Sequence, residues 1–410
     1  MTTVPAAAAQ IDAARIDVGP IDAARIDAGS IGAGPIGAGP IGAGPIDVGP
    51  IDAGPIDAGS IGACSIEAGP LDEEELTGLV RRCLAVDGGL PLAVEPGFLR
   101  SRWAAPGSVA FAVRPSTGDG RLLAALAVRP VDDGVAIIGL VDPDARGRGI
   151  GSRLLDHGLA AAGLLQSGAT AAEARHGARQ VGHPGPPSAD AGRTAGEATG
   201  ASARPPAVPA TAVVRVESEG LTAGAAELFA SRGFRQSFAE DVMRMDLADR
   251  AIMPPDWPAG TTTAVWSGET AERFHAVYTA AFRDRPGFPG TPAAEWIADT
   301  EDDDDFRPEF SLLAMLPEES RDDGGDINSV DRSRDAGFVT AGVGWIVQIG
   351  VRPEARRRGL ASALMRESLH RMAAAGIAHA WLCVNVDNPA ASVYRRLGFV
   401  DRGRRARFLR

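Results

Sequence analysis

The chain has 410 residues, more than the roughly 100 to 200 of a single domain, and 45% are apolar, so two domains with sizeable cores are expected. The 51 Gly and 30 Pro assign part of that length to segments that do not fold. A formal net charge of -12, with Arg as the only basic residue type, argues against a nucleic-acid coat and for a small-molecule partner.

The first ten residues, MTTVPAAAAQ, lack the basic start and leucine-type core of a signal peptide, and no stretch approaches the roughly 18 apolar residues of a membrane helix. Cys64, Cys83 and Cys383 form no C-x-x-C pair, and the histidines show no ligand spacing. A cytoplasmic chain with no metal and no membrane partner is expected; oligomeric state is not legible. From Ile11 to Leu71 an apolar residue returns every fifth position, separated by Gly, Ala, Asp and Pro. That period suits a β-helix turn, but the prolines remove the donors such a ladder needs, and one Ile per unit does not offset the ordering entropy. Residues 1–70 are therefore expected to be a disordered repeat tail.

Beyond it, Leu76 to Val86 reads as a helix, and Val109 to Arg114, Leu122 to Val128 and Val135 to Val141 as strands. Gln166 to Ala210 is low in complexity and reads as a disordered insertion, and Arg250 to Gly260, with Met253-Pro254-Pro255, as a linker. Next come a strand at Thr262 to Trp266, a helix from Glu269 to Phe282, a strand at Phe310 to Met315 and a polar loop insertion over Pro317 to Ala336.

The informative stretch is WIVQIGVRPEARRRGLASALMRESLHRM from Trp345: a β-branched strand closed by Pro353, then Gly359 and a helix with Leu360, Leu364, Met365 and Leu369 on one face. Unpaired amides at a helix start, a Gly that lets a ligand approach the main chain, and flanking guanidinium groups together make a diphosphate cradle. In GLVDPDARGRGIGSRLLDHGL, Val141, Pro143, Arg146, Gly149, Ile150 and Leu154 match Val351, Pro353, Arg356, Gly359, Leu360 and Leu364 at a constant offset of 210. The unit occurs twice. Downstream, HAWLCVNVDNPAASVYRRLGF ends in Tyr394 and Gly398-Phe399, and AVVRVESEGLTAGAAELFASRGF in Phe229 and Gly233-Phe234. The Gly-to-aromatic spacing differs by 45 residues, the length of the insertion Gln166 to Ala210.

These residues resemble the acetyl-CoA signature of the GNAT superfamily, over roughly Leu71 to Leu247 and Thr261 to Leu409. The tandem arrangement with a weaker first copy is also similar to that of the mycothiol synthases. The resemblance implies an α/β (α+β) class: two tandem GNAT folds, residues 71–249 and 261–410, each a mixed, mostly antiparallel sheet flanked by helices. It also implies that acetyl-CoA lies between two splayed parallel strands, the one ending at Val351 and the one from His379 to Val386. Ile349 and Val351 would pair with the pantetheine arm. Arg356, Arg357, Arg358, Gly359, Leu360 and Ala361 would hold the pyrophosphate, and Val141, Arg146, Gly147, Arg148, Gly149, Ile150 and Gly151 are the counterparts in the first copy.

Tyr394 stands where the family places a phenol that protonates the departing thiolate; Phe229, at the matching place, has no proton to give, so chemistry is assigned to the C-terminal copy. Packing against Leu397 and Phe399 is the alternative role for Tyr394. Asn388 either caps a helix begun by Pro389 or touches the cofactor. No general base is evident: the strand from Trp345 to Ile349 offers only Gln348, and Glu309 or the run Glu301 to Asp305 reads as solvated loop before base. The expected reaction is acetyl transfer to a primary amine of a small molecule or peptide by direct attack in a ternary complex. Acylation of the same kind by a mycothiol synthase and a non-catalytic acyl-CoA-binding protein are the alternatives.

Overall fold

The computed structural model describes residues 64–115, 120–179, 213–248, 252–285, 288–317 and 333–410. Its first half runs β1 (Cys64–Ala68), α1 (Glu73–Asp87), α2 (Pro96–Trp103), β2 (Val109–Pro115), β3 (Ala124–Val131), β4 (Gly134–Val141), α3 (Ile150–Gln166), α4 (Ala171–Arg179), β5 (Val213–Ser218), α5 (Ala223–Ser231) and β6 (Arg235–Asp246). The second repeats that order without a counterpart of α4: β7 (Thr262–Val265), α6 (Ala271–Phe282), α7 (Ala293–Glu301), β8 (Leu312–Pro317), β9 (Ser333–Gly342), β10 (Trp345–Val351), α8 (Leu360–Ala374), β11 (His379–Asn385), α9 (Ala391–Leu397) and β12 (Val400–Leu409). Each half is a mixed stretch of sheet flanked by helices, the architecture the resemblance implies.

Local chemistry explains the elements. The Asp72 side chain accepts from the Glu75 amide at 2.9 Å, three glutamates fill the first turn of α1, and Leu76, Leu79, Val80 and Cys83 form its buried stripe. The expected disorder needs two corrections. Cys64 to Ala68, at the end of the five-residue repeat, pair antiparallel with Phe111 to Pro115 of β2, because alternation within Cys-Ser-Ile-Glu-Ala lets Ile66 pack on the core while the ladder satisfies the backbone. The start of the insertion is also helical: α4 packs on α3 with Ala174 and Ala178 fully buried, and Thr170 and Glu173 exchange capping hydrogen bonds at its start. The remainder of the repeat and the stretches 180–212 and 318–332 lie outside the described residues.

The described strands form one twelve-stranded sheet in the order β1-β2-β3-β4-β5-β12-β6-β11-β10-β9-β8-β7. Two neighbours are parallel, β4 with β5 and β10 with β11; the rest are antiparallel. The last strand of each half crosses to the other. β12 pairs with β5, with Arg407 opposite Glu217, and β6 pairs with β11, with Glu240 opposite Asn385. β6 and β12 pair with each other at the centre, so the halves are joined by exchanged strands rather than by the linker alone.

One face of the first half packs on α3 through Phe111, Leu126 and Ile137, and one face of the second on α8 through Leu312, Val339 and Leu382. On the opposite side, α1 and α2 share a cluster with Trp345, Val347, Trp381 and Cys383, so the helices of the first half also cover part of the second. Trp345 and Trp381 stack there at 6.2 Å, while Trp266 and Trp296 lie in the aromatic core under α6 and α7. The seam is charged: Glu217, 2% exposed, accepts from Arg102 Nη1 at 2.9 Å and Arg129 Nη2 at 3.0 Å, and Arg405 lies 3.3 Å from Glu219. Buried charges in such number are tolerated only in mutual pairing.

Candidate functional site

The site is built where two parallel strands part. β4 and β5 stay in register from Gly134 opposite Val213 to Ile138 opposite Glu217. Beyond that point a cavity of about 430 Å³ opens, lined by Gly139, Leu140 and Val141 on one wall, Ser218, Gly220 and Thr222 on the other, and Phe229 from α5. Arg146, Gly147, Gly149, Ile150 and Gly151 also line it, so six of the seven first-copy residues singled out in the sequence converge on one space; Arg148 stands exposed beside it. In the second half, β10 and β11 register only at Trp345 opposite Trp381 and then diverge, and β10 carries an irregularity between Ile346 and Gln348. Ile349 and Val351 are half-buried on that splayed edge, and Val351 leads directly into the loop.

The two loops share one backbone. Gly149 at φ +76° and Gly359 at φ +85° precede α3 and α8, and two residues earlier Gly147 at φ +74° is matched by Arg357 at φ +63°. A left-handed arginine costs about 1–2 kcal/mol, a strain retained where the loop shape is needed. Space around Gly149 and Gly359 is open, with nothing within 4 Å of where a Cβ would stand. The first amides of α3 and α8 lack intrahelical acceptors by geometry and face that space with the positive end of the helix dipole. This cradle and the cavity behind it fit a diphosphate and a thioester arm.

The first arginine of each loop braces it. Arg146 donates through Nε to the Val141 carbonyl at 3.0 Å and through both terminal nitrogens to the Asp87 carboxylate at the end of α1. Arg356 donates to the Val351 carbonyl at 3.1 Å and to the Ala281 carbonyl at the end of α6 at 2.9 Å. These guanidinium groups tie strand end, loop and helix end together, and Arg148, Arg357 and Arg358 are further exposed cations of the two loops, as Arg356 also is. Leu360 is fully buried under the loop, and Ala361 is half-buried at the start of α8.

Tyr394 sits on α9, 9% exposed, with its ring 6.3 Å from that of Phe399. Burial pushes its phenol up to about 12 against the opposing pull of Arg285, so it stays protonated across the working range. Arg285 stacks at 4.2 Å over Phe282. In the first half Phe229 packs edge-on against Phe408 at 5.1 Å and presents no hydroxyl. The Asn388 Oδ1 accepts from the Ala390 amide at 3.0 Å and closes the turn before α9, but the helix starts at Ala391 with Ala390 at its N-cap, so Pro389 does not begin it and Asn388 is not its cap.

Of the acidic candidates, Glu309 is exposed, and Glu301 accepts from Trp266 Nε1 at 2.9 Å. Asp305, read as solvated loop, is instead 4% exposed with Oδ2 unpartnered, because its segment folds back on β9 and its carbonyl accepts from Val343. Burial pushes the Cys383 thiol up, which removes it as a nucleophile. Sequence reasoning also missed Glu240 and Glu219 at the seam; each leaves an oxygen buried without a hydrogen bond beside the second half, and only the strand exchange brings them there. Among the described residues no cluster of His, Cys, Asp and Glu is arranged to hold a metal.

Two halves of one mixed sheet, each parted between parallel strands beside a glycine-turned helix start, define a tandem acyltransferase fold of the GNAT type. The profile of the Acetyltransferase (GNAT) family matches residues 91–180 and 324–399. A mycothiol acetyltransferase of Clavibacter michiganensis is 30% identical over 288 residues, 69% of this chain and 74% of that one. Another, of a Nocardioides species, is 31% identical over 194 residues, which cover 44% of this chain and 64% of that protein, under two thirds of its length. A GCN5-related N-acetyltransferase from Sphaerobacter thermophilus superposes with a TM-score of 0.55 at 20% identity, over 84% of this chain and 95% of that one, a likeness of fold alone. The chain belongs to the GNAT acetyltransferase family.

Proposed function

We propose that the chain transfers an acetyl group from acetyl-CoA to a primary amine of a small molecule or peptide, with the chemistry in its C-terminal half. The observation that carries this reading is Tyr394, a buried phenol held protonated on α9 in the core against which Ile349 and Val351 pack, where the matching position of the first half is Phe229. Ile349 and Val351 would bind the thioester arm by main-chain hydrogen bonds, and the loop from Arg356 to Ala361 would cradle the diphosphate, with Arg356 as its brace. The amine attacks the thioester carbonyl directly; the nitrogen loses a proton to solvent or a nearby carboxylate, and the Tyr394 hydroxyl delivers one to the departing sulfur. The first half, with its open cavity and no phenol, would hold a CoA thioester without transferring its acyl group.

The test is free-thiol release from acetyl-CoA across a panel of primary amines, beside calorimetric CoA binding. Thiol release with some amine supports the reading; binding without release favours a non-catalytic CoA-binding protein, for which Phe229 already speaks in the first half. A second reading, acetylation on a route to mycothiol, has the names of the relatives in its favour. Thiol profiling of a deletion strain separates it. A cytoplasmic site of action belongs to this proposal; among the described residues no helix is long and apolar enough to cross a membrane.

A further inference from the structure

The parted strands of the first half are approached from both faces of the sheet. On the α3 face lies the large cavity, and on the α1/α2 face a second one of about 20 Å³. The two share Asp87, Gly139, Leu140, Ser218 and Gly220, the residues at the parting itself, so they meet through the sheet. About 10–15 Å³ by this measure holds one water-sized group, so the smaller space takes one methyl-sized group and little more. Its far wall is Val80, Cys83, Leu84, Phe98 and Trp103 of α1 and α2. Val80, Cys83 and Trp103 are each 3% exposed and Phe98 4%, so α1 and α2 cover the sheet on this face, with Leu84 half-buried at its margin. Burial pushes the Cys83 thiol in this wall up to about 12, and of the two carboxylates that also line the space Asp87 is engaged by Arg146 and Glu219 lies beside Arg405.

We infer that the first half is an acyl-thioester site, covered on its α1/α2 side, that selects the acetyl group by length, with Val80, Leu84 and Phe98 as its gauge. The inference rests on the proposal that this half holds a CoA thioester. The thioester arm occupies the large cavity, the acyl methyl passes between Gly139 and Ser218 into the small one, and a longer chain meets the α1/α2 wall. One methylene more or less in such a pocket is worth about 10- to 200-fold. The site thus retains acetyl-CoA as a ligand of the fold in preference to CoA thioesters of longer acyl groups.

Calorimetry on the full chain with acetyl-, propionyl- and butyryl-CoA tests this, with Gly149→Val identifying the first-half site, since a side chain at φ +76° strains the cradle and fills its open space. A site lost in Gly149→Val that binds butyryl-CoA at least about tenfold more weakly than acetyl-CoA is expected. Val80→Ala and Leu84→Ala, each enlarging the small cavity, should restore most of the propionyl-CoA affinity. Equal binding of acetyl- and butyryl-CoA at the Gly149-dependent site overturns the length selection while leaving CoA binding intact. No Gly149-dependent site at all overturns the reading on which it rests.

Discussion

Replacing Asp305 with Asn should stabilise the protein at alkaline pH and do little in acid. Asp305 precedes the turn at Pro308–Phe310, is 4% exposed, leaves Oδ2 without a hydrogen bond, and lies near Asp303, Asp304 and, from the first half, Glu95. Burial first, then these neighbouring carboxylates, push its carboxyl from 3.8 up to about 7. A carboxyl raised on folding leaves stability intact below the unfolded value and erodes it as pH rises through the interval between the two values, after which the loss is constant. At about 1.36 kcal/mol per unit, ionisation costs roughly 1–2 kcal/mol near pH 5 and up to about 4 near pH 8. Asn cannot ionise, so the urea midpoint of Asp305→Asn should exceed that of the wild type by an increment about 2–3 kcal/mol larger near pH 8 than near pH 5. An increment that does not change with pH would refute this account of the buried carboxylate and of the repulsion it exerts on Glu95 across the seam.

Four further outcomes are expected. Glu217→Gln leaves Arg102 and Arg129 without their buried counter-charge and should cost about 3–5 kcal/mol in urea unfolding at neutral pH. Because Glu217 is held down at about 2, chiefly by Arg102 and Arg129 against burial, its contribution is present above 4.5 and should fade as pH drops towards 2 in acid titrations of the wild type. Arg146→Met, which strips Asp87 of its bidentate partner, should weaken CoA binding at the first half by about tenfold or more in calorimetry, with amine turnover in the second half retained. Phe229→Tyr placed in a Tyr394→Phe background should restore no thiol release, because Val80, Phe98 and Trp103 still cover the sheet on the α1/α2 face; recovered release would show that an amine reaches the first half despite this cover.

The duplication was legible because loop residues repeat at one offset, and the backbone agrees to the point that Arg357 adopts the left-handed turn of Gly147. What period and spacing do not carry is which half a strand joins. β12 alternates Arg405 and Arg407 with Ala406 and Phe408; the arginines are buried because Glu217 on β5, Glu219 just beyond it and Glu240 on β6 face them. Spacing did not reveal that Asp87 and Ala281, distant in sequence, engage Arg146 and Arg356 and brace the two loops. Asp305 reads as solvated in an acidic run, and only the return of that loop onto Val343 buries it. The Ala-rich start of the insertion lacks strong periodicity, yet α4 holds because α3 offers it an apolar face.

The most direct test of the central claim compares wild type and Tyr394→Phe for free-thiol release from acetyl-CoA with a broad panel of primary amines, with CoA binding measured in parallel. The account predicts amine-dependent turnover that falls by about 100-fold or more in the variant while CoA affinity stays within about twofold, since a general acid contributes roughly 10²–10⁴ and acts only in transfer. Turnover undiminished in Tyr394→Phe would remove the phenol from the chemistry and contradict the assignment of transfer to the C-terminal half.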